Sequence, residues 1–382
     1  MIRTFQLFLL KITLIMQRMS VSAAQVMCLN KNIPFYSYRL PGQREFYFGA
    51  QVSGEPVRFE SVNDCRAGEG FIAVPFQTDA ECWPVYIQGE LAFREVTEDA
   101  GIIEKLESYT QKKSKPVESQ PSVSREAYHE QVSTMISTLK QGEVRKMVLA
   151  RGLTVVADGF REASMWFEKL AERYSDAFVF LVSVPGVMTW MGATPELFLE
   201  QTQQGTSTMA LAGTRPSGAL ENWGEKEVEE QAIVADYVEK LLRDTGDWEV
   251  KGPFSKQAGR VEHLCTAFTS LQCLSAGQVD RLRQALHPTP AVGGFPAREA
   301  IRMIRQIEGE SRRYYAGYVG PLSADGTFHW FVNLRSMELF EKAVRLYIGG
   351  GITALSDPEK EWGETELKSR TLLDVMNNVL MC

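Results

Sequence analysis

Hydrophobic positions divide the chain into two differently patterned stretches. Residues 33–109 alternate short apolar runs with turn-forming residues, as in YFGAQVSGEPVRFES and GFIAVPFQ, which predicts a β-rich portion. Residues 111–125, QKKSKPVESQPSVSR, are polar with two prolines and predict a linker or exposed loop. From Glu126 the period lengthens. Val132, Met135, Ile136 and Leu139 form the apolar stripe of a helix over 126–141. Strands follow at 144–156, 177–184, 187–200, 206–213, 328–340 and 343–349, with helices at 162–174 and 223–244. A last helix begins after Ser356-Asp357-Pro358, where Ser356 or Asp357 can cap and Pro358 suits the first turn, and runs nearly to Cys382. Long strands mixed with few helices and without βαβ alternation indicate an α+β fold. The expected organisation is an N-terminal β-rich portion over 1–110, the linker, and a core over 126–382.

Two helices carry polar residues where their inner stripe continues. In the last helix Leu372, Val375 and Val379 line up, by steps of three and four, with Lys368, Glu364 and Glu361. In the helix 223–244, Val234, Val238 and Leu241 continue back to Glu230 and Glu227. One reading is a first turn that has left the core for water. The other is a set of inward carboxylates, which need partners or a metal. Oxygen ligands without His or Cys suit Mg²⁺.

Other residues allow a catalytic and a structural reading side by side. Lys146 precedes the apolar run Met147-Val148-Leu149-Ala150. Inside such a strand it would be desolvated, its pKa would fall, and it could serve as a general base; at an edge it would be an ordinary lysine. Glu196, in MGATPELFLE, is a general acid with a raised pKa or a carboxylate that starts a strand. Arg335, on a strand whose other face is Trp330, Val332 and Leu334, is a carboxylate clamp or a surface arginine. Gly349-Gly350-Gly351, placed after a strand, and Ala212-Gly213-Thr214, placed at a strand end, allow backbone to approach a ligand or form tight turns.

The composition narrows the field. The 382 residues carry a net charge of −7, are 44% hydrophobic and 23% charged, and contain six cysteines and four histidines. With a pI near 5.4 the balance argues against a nucleic-acid binder, while an anionic substrate is compatible with local cations. Neither a CxxC pair nor a His/Cys zinc spacing is present, so the cysteines read as buried thiols in a reducing, cytoplasmic setting. Residues 2–16, IRTFQLFLLKITLIM, have a basic start and an apolar run, and Ser22, Ala23 and Ala24 imitate a signal-cleavage region. Lys11 interrupts the run, which is too short to span a bilayer. An amphipathic first element, or a start at Met16 or Met19, are the competing readings.

From about Ser124 to the C-terminus the motifs KMVLAR, GATPELFL, LAGTRPSG, HPTPAVGGFP, YAGYVG, NLRS, IGGGIT and SDPEKEWGETELKS occur in order. Together they resemble the chorismate-utilising enzymes, which share the anthranilate synthase component I-like fold: large antiparallel sheets packed with helices, the active site between them. The resemblance implies Mg²⁺ as cofactor, held by Glu227, Glu230, Glu361 and Glu364, and chorismate as substrate. It implies that Lys146 deprotonates a water attacking ring C2 and Glu196 protonates the departing C4 hydroxyl, from opposite sides of the diene. Gly213, Thr214 and His263 are implied as ring-side contacts, and Tyr315, Arg335, Gly349, Gly351 and Lys368 as contacts to the carboxylates. Lysine at 146, and alanine at 212 where an amine-forming branch has a lysine, imply the water-adding branches. HPTPAVGG, with His287, Pro290 and Ala291, resembles isochorismate synthases, with menaquinone biosynthesis the expected destination. A salicylate synthase, which goes on to eliminate pyruvate, and a siderophore-pathway enzyme are the alternatives. Glu230-Gln231 stands where the family usually has Glu-His. The resemblance implies no glutaminase partner and no membrane, and the lack of heptads suggests a monomer.

Overall fold

The computed structural model describes residues 18–65, 68–110, 117–376 and 380–381. The apolar run 2–16, most of the linker's first half, Val379 and Cys382 lie outside the described residues. Ser22, Ala23 and Ala24 fall in the helix Val21–Lys31, where Ala24 is buried. Among the described residues the strands form two large antiparallel sheets, of ten and nine strands, and a two-stranded pair. The ten-stranded sheet has Lys146–Val156, Ala343–Ile352, Ser336–Leu339, Met188–Thr194 and Phe178–Val184 side by side. Phe35–Arg39 and Tyr47–Ala50, from the β-rich stretch, extend it. In the nine-stranded sheet Val261–Ser270, Gly205–Pro216, Leu197–Thr202, Phe328–Val332 and Tyr318–Leu322 are neighbours, followed by Gly70–Val74. Strands of residues 33–109 thus enter both sheets.

The sheets pack face to face through aromatic side chains. Phe178 of one stacks on Phe331 of the other with ring centroids 4.3 Å apart, and Trp190, Phe180 and Trp330 are buried in the same cluster. The outer face of the ten-stranded sheet is covered by the helices Val21–Lys31 and Gly159–Arg173, whose Trp166 and Phe167 pack with Leu181, Met191 and Leu346. The helices Arg125–Leu139 and Ala297–Glu308 bury Met147, Leu149 and Ile352. No helix among the described residues is long and apolar enough to cross a membrane. Cys28, Cys65, Cys82 and Cys265 are buried thiols, while Cys273 is exposed, contrary to the sequence expectation.

Two expected strands break where the chain passes between sheets. The apolar run 187–200 ends in one sheet at Thr194 and resumes in the other at Leu197. Residues 328–340 do the reverse, leaving one sheet at Val332 and entering the other at Ser336. The two crossings are tied together: Thr194 Oγ1 donates to the Val332 carbonyl at 2.6 Å, and the Ala193 amide to the Arg335 carbonyl at 3.1 Å. Glu196 and Arg335 therefore lie at adjoining crossings rather than within strands. Arg335 adopts a left-handed backbone, φ 48°.

Candidate active site

The triple glycine lies within the strand Ala343–Ile352, not after it, and pairs with Val148–Ala150 of the neighbouring strand. Likewise Ala212-Gly213-Thr214 is not a strand end but a bulge within Gly205–Pro216, where the register with the next strand shifts between Ala212 and Arg215. At the bulge Gly213 takes φ +69° and packs against the backbone of Glu227. Over these strands stand two helices. Pro358–Leu373 is capped by Asp357, whose side chain accepts from the Lys360 amide, and ends at Leu373 rather than near Cys382. Glu225–Leu242 buries Glu230, Val234, Val238 and Leu242; Leu242 takes the place expected for Leu241.

A cavity opens between these elements. All the residues expected to meet substrate reach its wall: Gly213, Thr214, His263, Tyr315, Arg335, Gly349, Gly351 and Lys368, with Glu196 and Glu230 beside them. Ala212, Ala291 and Val292 line it too, so the LAGT alanine and the HPTPAVGG segment both face the space. Sequence reading did not pick out Val148, Tyr347 or Ile348 on this wall, which lie within core-like runs, and it set Leu334 on the face opposite Arg335, whereas both residues line the cavity.

Glu196 is nearly fully buried. Burial pushes its carboxyl up to about 8, against the opposing charges of Lys146, Lys368 and Lys256. At neutral pH it is a protonated acid. Lys146 is fully buried, as the strand reading required, with Nζ 3.1 Å from Glu230 Oε1. That approach is an ion pair by distance, yet its angle makes no hydrogen bond, and Nζ has no aligned acceptor. Lys146 itself is not on the cavity wall; its partner Glu230 is. Burial would raise the Glu230 carboxyl, but Lys146, Lys226 and Lys368 outweigh it and hold it at about 2. A side chain on Gly351 would overlap this carboxylate, so glycine there makes room for it.

His263 has one defined tautomer. Its Nδ1 lies 2.9 Å from the Gly213 carbonyl, which can only accept, so Nδ1 carries the proton and Nε2 accepts from Arg335 Nη2 at 3.1 Å. Burial, with Arg335 and Lys368 nearby, lowers its pKa to about 3. Lys368 donates to the Gly349 carbonyl at 2.9 Å and pairs with Glu364 at 2.5 Å. Tyr315 presents its hydroxyl over Gly349: a Cβ there would stand only 2.9 Å from it. Gln231, where the resembling family has histidine, turns away from the cavity and donates to the Ala210 carbonyl and Thr266 Oγ1, both at 3.1 Å.

The sequence profile described as "Chorismate binding enzyme" matches residues 85–377, most of the chain. The chain belongs to the chorismate-binding enzymes. Within this family it is 29% identical over 271 residues to isochorismate synthase EntC of Escherichia coli (strain K12), covering 68% of this chain and 69% of the relative. With isochorismate synthase DhbC of Bacillus subtilis (strain 168) it shares 30% identity over 269 residues, 66% of this chain and 68% of the relative. The fold matches that of MenF, the menaquinone-specific isochorismate synthase from Escherichia coli. There the TM-score is 0.71 at 22% identity, covering 93% of this chain and 91% of that structure.

The four carboxylates expected to hold a metal are only partly assembled. Glu361 and Glu364 approach Gly350, and Glu230 abuts Gly351. Glu227 folds back instead over Gly224 at the helix start. Among the described residues no three His, Cys, Asp or Glu side chains are grouped closely enough to hold a metal as they stand. The donor chemistry nonetheless fits a hard cation: Glu361 is buried, and its Oε2 makes no hydrogen bond. Sequence reading overlooked two residues here. Ser356 donates to Glu361 Oε1 at 2.7 Å, and Lys226 approaches the same oxygen at 2.7 Å. The i, i+4 spacing of Lys226 and Glu230 was the available signal for the second.

Proposed function

We propose that this protein is an isochorismate synthase, converting chorismate to isochorismate by adding water at C2 and expelling the C4 hydroxyl. The observation that carries this reading is the pairing of an acid held protonated, Glu196, with a buried lysine within its electrostatic reach, Lys146, at a cavity where position 212 is alanine. An alanine there offers no side-chain amine to attack the ring, and a lysine at 146 favours water over ammonia as the nucleophile. Lys146, having given its ammonium proton to solvent and parted from Glu230, takes the proton of that water as the neutral amine. Glu196 gives its proton to the leaving hydroxyl, so that the elements of water are gained and lost and the ring stays oxidation-neutral. Arg335, fixed by His263, and Lys368 supply cationic donors for the substrate's carboxylates.

Glu361, Glu364 and Glu230 would hold Mg²⁺, with Glu227 able to join them by turning its side chain from Gly224. The ion would neutralise the ring carboxylate when bound. The relatives' names support this branch over the amine-forming ones.

The test is incubation with chorismate and Mg²⁺ in ammonium-free buffer made with ¹⁸O-water. Isochorismate carrying ¹⁸O is expected. An aromatic amine appearing only with ammonium would refute the proposal, and salicylate with pyruvate would move the chain to the alternative branch.

A further inference from the structure

Three of the carboxylates beside the triple glycine already hold a lysine each. Lys146 pairs with Glu230, Lys368 with Glu364, and Lys226 with Glu361. Two of the lysines have another role in the reading above, one as base and one on the cavity wall. Lys226 has none. It stands in the first turn of the helix Glu225–Leu242, an end of the dipole that disfavours positive charge. Three carboxylates retain it there: Glu361, Glu230 and Glu364 together outweigh its burial and raise its pKa. Its ammonium thus lies in the field of the same three oxygen-donor groups that a divalent ion would use. The buried Oε2 of Glu361 makes no hydrogen bond, which leaves one oxygen of the cluster open to a further ligand.

We propose that Lys226 is the resident counterion of the metal site, which holds the carboxylates when no metal is bound and is displaced when a divalent cation arrives. This rests on the reading of these carboxylates as the metal site. A divalent ion on Glu361 Oε2 would stand within a few ångströms of the ammonium on Oε1, and the repulsion between them favours the lysine's departure. Lys226 is the lysine able to leave, because its side chain is 20% exposed whereas that of Lys146 is fully buried. Swinging to water, it gives Glu361 to the metal and regains hydration. The exchange sets the metal affinity below what the carboxylates alone would give, which keeps the ion replaceable. Without the lysine, the metal-free site would hold Glu361 and Glu364, which meet over Gly350, in mutual repulsion.

The experiment is calorimetric titration of the metal-free full-length protein with MgCl₂, for wild type and Lys226→Met, with thermal melting of both in the presence and absence of Mg²⁺. Loss of a charge-assisted contact that competes with the metal should tighten Mg²⁺ binding by about 10-fold or more. The metal-free variant should melt below wild type, and saturating Mg²⁺ should narrow the gap. Lys226→Gln, which keeps a donor but no charge, should show the same tightening and serves if the methionine variant does not fold. Equal or weaker Mg²⁺ binding in the variants overturns the proposal. A wild-type protein that binds no Mg²⁺ would instead sink the metal site itself.

Discussion

Arg335 donates from Nη2 to Nε2 of His263 at 3.1 Å. The histidine accepts because its other nitrogen is committed to the Gly213 carbonyl, and its pKa of about 3 keeps it uncharged beside the guanidinium. Its role is to aim Arg335 into the cavity from a crossing between the sheets. His263→Ala should therefore weaken substrate binding more than turnover. A hydrogen bond to a charged group contributes roughly 1.5–3 kcal/mol, so KM should rise about 10-fold or more while kcat falls less. Steady-state kinetics decide it; a kcat loss at unchanged KM would assign His263 a different part.

Glu196 predicts the alkaline limb of the pH profile. Its carboxyl must carry a proton to deliver one, and burial holds that proton up to about pH 8. Activity should decline above this value, in kcat/KM of the free enzyme, while the acid side is set by the base and not by Glu196. Glu196→Gln should lower kcat by roughly 10²-fold or more and remove the limb. A limb that survives in the variant belongs to another group.

Much of this site was legible because its chemistry interrupts regular patterns. Carboxylates on an apolar helix stripe and a lysine opening an apolar strand each point inward for a physical reason, and Glu230, Glu361 and Lys146 are indeed buried. The sheet crossings were not legible. Apolar residues on both sides of Pro195-Glu196 and of Leu334-Arg335 read as one continuous strand, since a buried strand looks alike in either sheet. Tertiary pairing alone decides which sheet receives each half. Lys226 escaped because a lysine in a helix's first turn ordinarily faces water, and its partner Glu361 is 135 residues away.

Lys146 and Glu230 should behave as one unit in stability as well as in chemistry. Both are buried, so Lys146→Ala strands a carboxylate that Lys146 helps to hold at about 2. Removing one member of a buried pair costs roughly 3–5 kcal/mol, and adding Glu230→Gln should recover part of that loss. Denaturant unfolding of the two single variants and the double variant measures the coupling. Strictly additive losses would mean that the pair contributes nothing as a pair. In turnover, Lys146→Ala should lower kcat by about 10²-fold or more.

Metal dependence is the remaining prediction, and it separates the carboxylates by position. If Glu361, Glu364 and Glu230 hold Mg²⁺, a chelator should abolish turnover and restored Mg²⁺ should recover it. A ligand that binds only the folded state stabilises it by RT ln(1 + [L]/Kd), about 2.7 kcal/mol at a hundredfold excess over Kd, so the melting temperature should climb with Mg²⁺. Glu364→Gln should suppress both effects and leave the metal-free fold largely intact, because Glu364 is only partly buried and pairs with a lysine that has a second contact on Gly349. Glu227→Gln should do less, since its carboxylate is turned to Gly224, away from the others. Full activity in excess chelator would remove the metal from the mechanism. A loss as large in Glu227→Gln as in Glu364→Gln would show that all four carboxylates converge once the ion is present.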